Sequence, residues 1–147
     1  MDSLINGLRV FLASNFVIYS KTHSAHWNVT GMFFYELHKM FEDQYNDLWQ
    51  QVDTIAEKLR QLDSPATISP QDQITLSVIS ADQPVLNGAG YVKSLLQDHN
   101  RMIILLNKVF KLAESENNQA IMNYVADRLD AHAKHRWFLK STLDRFS

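Results

Sequence analysis

Apolar residues recur at helical spacing through most of the chain. Leu4, Leu8, Phe11, Leu12, Phe16 and Tyr19 form one stripe, which predicts an amphipathic helix running to about Asn28. Thr30 and Gly31 interrupt it. A second helix, starting near Met32, carries the most regular pattern: Phe41, Tyr45, Leu48, Val52, Ile55, Leu59 and Leu62 alternate steps of four and three, the signature of a buried seam several turns long. The rhythm fails from 63 to about 90, the stretch that holds Pro65, Pro70 and Pro84. Within it, Ser69 followed by Pro70, Gln71 and Asp72 has the form of an N-cap with proline in the first helical position, and predicts a short helix through about Val78. Tyr91, Leu95, Met102, Leu105, Val109 and Leu112 resume the four-three rhythm as a third long helix. After a break at 115–118, Met122, Val125, Leu129, Ala133 and Trp137 carry a fourth.

Four long helices joined by a short, a long and a short connection describe an all-α four-helix bundle with one long crossover carrying a short helix, the connectivity of ferritin-like folds. With 147 residues the chain fits a single domain, 1–147. Apolar residues make up 46% of it, against four Gly and three Pro, so the composition is neither that of a disordered chain nor that of a turn-rich sandwich or barrel. Lys and Arg are scattered singly and the formal charge is -2, which lacks the basic excess that draws a domain onto nucleic acid or an anionic membrane. Without cysteine there is no disulfide and no thiolate metal site, so any metal is held by nitrogen and oxygen. Asp2 precedes every basic residue, no small-residue cleavage site follows, and no apolar run approaches the roughly 18 residues of a membrane span. The expectation is a soluble, unprocessed, cytoplasmic protein.

The second helix also has an organised polar flank. At about 100° per residue, His38, Glu42, Trp49, Asp53 and Glu57 lie on one side, roughly 60° to 160° from the centre of the apolar stripe. Carboxylates on a helix usually face water, but a tryptophan among them points to a flank covered by a partner surface. His38 with Glu42, and Asp53 with Glu57, are each four residues apart, so each pair points one way and can grip one cation. Imidazole with carboxylates suits iron, zinc or manganese. Glu42 and Asp53, however, are about 16 Å apart along the axis, too far to share an ion within one chain. Antiparallel packing of two such helices across a twofold axis would set His38 and Glu42 of one chain against Asp53 and Glu57 of the other, and make two identical sites. No Glu is followed by His three residues later, so the Glu-x-x-His motif of bundle-centred di-iron proteins is absent.

The run Lys21-Thr22-His23-Ser24-Ala25-His26-Trp27-Asn28-Val29-Thr30-Gly31, then Phe34, Leu37-His38, Phe41-Glu42, Tyr45, Leu48, Asp53 and Ile55-Ala56-Glu57-Lys58, closely resembles the Dps family of mini-ferritins. His132-Ala133-Lys134-His135-Arg136-Trp137 looks like that family's closing helix, and the resemblance spans nearly the whole chain. It implies a hollow shell of twelve subunits built from twofold dimers, cytoplasmic or nucleoid-associated, that oxidises Fe(II) with hydrogen peroxide in preference to dioxygen, stores ferric mineral and limits oxidative damage to DNA. On this resemblance the activity is that of an oxidoreductase acting on metal ions, a ferroxidase. Carried over residue by residue, the resemblance assigns His26 and His38 to one subunit and Asp53 and Glu57 to its twofold mate, with Glu42 as a further acidic position where many members carry Asp. Iron is the metal implied, with zinc as an adventitious occupant. Trp27 stands where the family has an aromatic residue beside the iron site.

Two departures narrow the reading. Some members carry a Lys-rich N-terminal tail that binds DNA, whereas here the helical pattern begins by Leu4 with no basic tail before it, which argues against direct DNA binding. A DNA-compacting protein with weak ferroxidase activity is the alternative. Ala133 precedes Lys134 where many members have an acidic residue lining a threefold pore, and Asp127 and Asp130 are candidates to supply that charge. His23, His99, His132 and His135 are expected to be structural: His23 as a hydrogen-bonding residue, His99 as a satisfied core imidazole, and His132 and His135 as a pair that no carboxylate obviously completes as a metal site.

Overall fold

The computed structural model describes residues 1–146. Its four long helices are α1 (Asp2–Asn28), α2 (Phe34–Gln61), α4 (Gly88–Ser115) and α5 (Gln119–Leu143), with the short α3 (Pro70–Leu76) in the crossover and a closing 3-10 turn, Asp144–Phe146. α1 packs with α2 and α4 with α5 as two hairpins; α1 also packs against α4 and against α3. The expected all-α bundle with one crossover is the architecture observed, and the described residues include no strand.

Local chemistry sets the breaks. α1 ends at Asn28 as expected, but α2 begins at Phe34 rather than Met32, because Gly31 (φ 81°) and Phe33 (φ 62°) turn the chain through left-handed conformations before helical geometry resumes. The closing turn supports this corner: the Arg145 guanidinium sits 3.7 Å from the Phe33 ring centroid, and Phe146 meets the same ring edge-on at 5.4 Å. α3 starts where the sequence places it. The Ser69 side chain accepts from the backbone N–H of Asp72, and the Asp72 carboxylate accepts from that of Ser69, a reciprocal capping box. The helix stops at Leu76 instead of about Val78, since Ser77 is already extended and Val78 donates its backbone N–H to the Ser14 hydroxyl of α1. Arg9 to the Thr67 carbonyl and Gln83 to the Ser20 hydroxyl complete three attachments of the crossover to α1.

The seam expected on α2 is largely the one buried: Phe41, Leu48, Ile55 and Leu59 are inaccessible, and Val52 and Leu62 pack at the edge of the core. α5 needs a correction. Its inward face is Ile121, Val125, Arg128, His132 and Leu139, while Trp137, expected in the apolar stripe, is 63% exposed. The apolar residues mark the neighbouring flank, but the inward face buries a cation and an imidazole, Arg128 and His132.

Those residues belong to a polar layer. One apolar cluster gathers Leu8, Phe11, Leu48, Ile55, Met102 and Val125; a second gathers Ala25, Leu37, Phe41, Tyr91, Leu95 and Leu139. Between them in sequence, on each of the four long helices, stand buried or half-buried polar residues: Thr22, Gln44 with Asp47, His99, and Arg128 with His132. Lys21 of α1 reaches across to Asp98 of α4 at 2.6 Å. Among the described residues, no helix is long and apolar enough to cross a membrane.

Candidate metal centre

His26 sits in the last turn of α1 and His38 in the second turn of α2, on either side of the corner at Gly31 and Phe33. The two rings stack at 3.8 Å between centroids with 15° between planes. Each backbone carbonyl accepts a hydrogen bond from the other ring: His26 Nδ1 to the His38 carbonyl at 2.7 Å, and His38 Nδ1 to the His26 carbonyl at 2.8 Å. A carbonyl oxygen only accepts, so both Nδ1 atoms carry the hydrogen, and each neutral ring keeps its lone pair on Nε2. Neither Nε2 has a hydrogen-bond partner among the described residues. Fixing one ring nitrogen by a backbone acceptor so that the other is free to bind a cation is the usual device by which proteins orient metal-ligating histidines.

An aromatic wall surrounds the pair. Phe34 stacks on His38, Tyr45 meets His26 edge-on at 5.2 Å, and His23 stacks on Tyr45 at 3.9 Å while Trp27 lies 4.0 Å from His23. His23 Nδ1 is hydrogen-bonded to the Tyr19 hydroxyl at 2.8 Å, the structural use expected of it. Burial, with the neighbouring His26 adding, pushes the His23 imidazole below its ordinary value. Trp27 and Trp49 are more than half exposed.

Glu42 follows His38 by one turn and is paired with Lys39 at 2.8 Å. That hydrogen bond and charge hold its carboxyl below the ordinary range, with His26 and His38 contributing in the same direction. Asp53 and Glu57 lie farther along α2, exposed and without an ion-pair partner among the described residues; Asp53 lines a shallow depression with Trp49, Gln50 and Val52. Thus the chain brings His26 and His38 together with Glu42 nearby and leaves Asp53 and Glu57 apart from them. Among the described residues, no three His, Asp or Glu side chains of one chain converge on a position for a metal ion.

A second polar cluster was not foreseen. Asp47 of α2 accepts from Arg128 through both carboxylate oxygens at 2.9 Å and from His135 Nε2 at 2.8 Å. A carboxylate therefore does reach one of the two closing-helix histidines, His135, while His132 bonds His99 instead. Burial raises the Asp47 carboxyl, but the hydrogen bonds and charges of His135 and Arg128 outweigh it and hold the group well below its ordinary value. His99, expected to be a satisfied core imidazole, is only half satisfied: Nδ1 meets His132 Nδ1 at 2.9 Å, and Nε2 is buried without a partner. The available signal was the spacing of Arg128, His132 and His135, four and three apart on a face that must turn inward.

Residues 5–147 match the model of the ferritin-like domain family, described as Ferritin. The chain is 30% identical over 136 residues to the DNA protection during starvation protein of Brevibacillus brevis, an alignment that covers 87% of this chain and 86% of that one. The chain belongs to the Dps family of ferritin-like proteins. Solved Dps structures share its fold: that from Thermosynechococcus elongatus matches with a TM-score of 0.93 at 23% identity, covering 97% of this chain and 90% of that one. Dps from Vibrio cholerae O1, described as a member of a broad superfamily of ferritin-like diiron-carboxylate proteins, matches with a TM-score of 0.91 at 25% identity, over 97% and 89% of the two chains. Membership makes this chain an iron-related, Dps-like protein.

Proposed function

We propose that residues 1–147 form a single Dps domain, the ferroxidase and iron-storage subunit of a cytoplasmic shell of twelve copies, in which Fe(II) is the substrate. His26 and His38 of one subunit bind the ion through Nε2, with Glu42 beside them, and Asp53 and Glu57 of the twofold mate close the site. The observation that carries this reading is the reciprocal hydrogen bonding of His26 and His38, which frees both Nε2 lone pairs toward a cation while, among the described residues, no three His, Asp or Glu of one chain converge to complete the set. Imidazole and carboxylate together suit Fe(II), and the carboxylates favour the ferric product by charge. Each Fe(II) gives up one electron; two such electrons with two protons reduce one hydrogen peroxide to two waters. Storage follows when ferric ions leave the site and hydrolyse inside the shell. Dioxygen is the slower oxidant in this reading, and zinc an inert occupant.

The test is anaerobic addition of Fe(II) to the metal-free protein followed by hydrogen peroxide, with ferric absorbance followed in the wild type and in an Asp53→Ala/Glu57→Ala variant that still assembles. Fast oxidation with soluble mineral in the wild type and its loss in the variant is the expected result. Equal, slow rates in both would refute a ferroxidase at this place.

A further inference from the structure

The ionisable cluster that the metal reading leaves unused lies in the polar layer between the two apolar clusters. His99 of α4 and His132 of α5 are fully buried and joined Nδ1 to Nδ1 at 2.9 Å. One proton serves that bond, so one ring donates and the other accepts. An imidazolium carries a hydrogen on both nitrogens, so the bond cannot persist once both rings are protonated. The remaining nitrogen of each ring, Nε2, is buried without a protein partner.

The surroundings do not welcome a positive charge. The charged groups acting on the pair are His135 and Arg128 of α5 and Asp47 of α2. Asp47 is the one acid among them, and both its oxygens are already taken by Arg128 and His135. Burial, reinforced by the positive neighbours, drives both imidazoles well below their ordinary value. Protons nevertheless have a way in. Asp47 and His135 also line a groove of about 770 Å³ between α2 and α5, which brings solvent to the edge of the cluster.

We propose that the His99–His132 pair is an acid-triggered latch in the bundle core: it ties α4 to α5 while both rings are neutral, and the bundle opens when both take up protons. The direction follows from linkage. In the opened chain each ring returns to an ordinary histidine, with a pKa of about 6.5, whereas in the closed bundle it resists protonation. The latch therefore contributes fully above about pH 6.5 and progressively less as pH falls below it, toward the lowered values of the closed state. Uptake of two protons on opening shifts the opening equilibrium by up to about a hundredfold per pH unit in that window. The carboxylate Asp47 responds only below about pH 4, where a carboxyl of the opened chain takes up its proton while the closed bundle still holds the group ionised. The latch is independent of iron, and its test needs none.

Denaturant unfolding of the metal-free protein at one fixed concentration, between about pH 7.5 and pH 5, is compared for the wild type and a His99→Leu/His132→Phe variant, which removes both partners and leaves no single polar atom stranded. The wild-type unfolding constant is expected to climb by up to about a hundredfold per pH unit below pH 6.5, and that of the variant to climb far less; His23, which is not among the groups acting on the pair, is common to both proteins and cancels. Equal slopes would overturn the latch. Should the variant not fold, carbon-13 spectra of the wild-type imidazoles decide instead: His99 and His132 staying neutral through about pH 5.5 in the closed bundle supports the latch, and titration of either near pH 6.5 without opening overturns it.

Discussion

A mixing experiment separates a site shared between two chains from one contained in a single chain. One variant loses the histidines (His26→Ala/His38→Ala); the other loses the distal carboxylates (Asp53→Ala/Glu57→Ala). His38 and Asp53 are both on α2, fifteen positions apart in the sequence, which at the helical rise is about 22 Å. No ion bridges that distance, so the histidines and distal carboxylates of one chain cannot serve the same site. Each variant alone is expected to be inactive. When the two are unfolded together in equal amounts and reassembled, a twofold site is whole only if its histidines come from the carboxylate-deficient chain and its carboxylates from the histidine-deficient one. Random pairing satisfies each condition half the time, so about a quarter of the sites, and about a quarter of the wild-type rate of peroxide-driven ferric absorbance, should return. Any single-chain site predicts no recovery at all, because no chain in the mixture holds both sets. A mixed shell of verified composition with no activity above the separate variants would refute the shared site.

Two further outcomes test the scaffold. Asp47→Ala leaves Arg128 and His135 without their common acceptor, and should destabilise the bundle by about 3 kcal/mol in denaturant unfolding near neutral pH; because the Asp47 carboxyl is lowered in the folded state, its stabilisation is present above pH ~4 and lost as pH falls from there toward the folded value, and the variant should lack that part of the acid slope. Gly31→Ala introduces a Cβ into open space but at φ 81°, so its expected effect is backbone strain of about 1 kcal/mol with no steric clash, measured as a lowered unfolding midpoint; a larger loss accompanied by weakened metal binding would show that the corner also sets the registry of His26 and His38.

The helices were legible because their cores repeat. Phe41, Leu48, Ile55 and Leu59 announce one face by type and spacing, and Ser69, Pro70 and Asp72 announce a start by capping chemistry, so both the seam and the crossover helix stand where the sequence places them. α5 was misread by one flank because a rule that follows apolar residues cannot know that Arg128 and His132 will be buried; their burial depends on Asp47, eighty-one positions earlier, and on His99 of the neighbouring helix. The candidate site was legible only as a set of residue types. That His26 and His38 lock each other through their own backbones is a property of the corner between α1 and α2, where the left-handed residues Gly31 and Phe33 return the chain. Spacing alone carries no sign of it.

The division of the molecule into two sequence-local hairpins also shapes how the chain reaches its fold. α1 and α2 are joined by five residues and α4 and α5 by three, so each pair closes with a small loss of chain entropy, and only the union of the two hairpins must await the long crossover. During synthesis the first hairpin is complete before the second has been made, and it contains every residue from His26 to Glu57. The amino-terminal hairpin is therefore the first whose residues are all available, while the later half arrives to cover its apolar side, to set Arg145 and Phe146 against Phe33 at the corner, and to supply the Arg128 that pairs with Asp47.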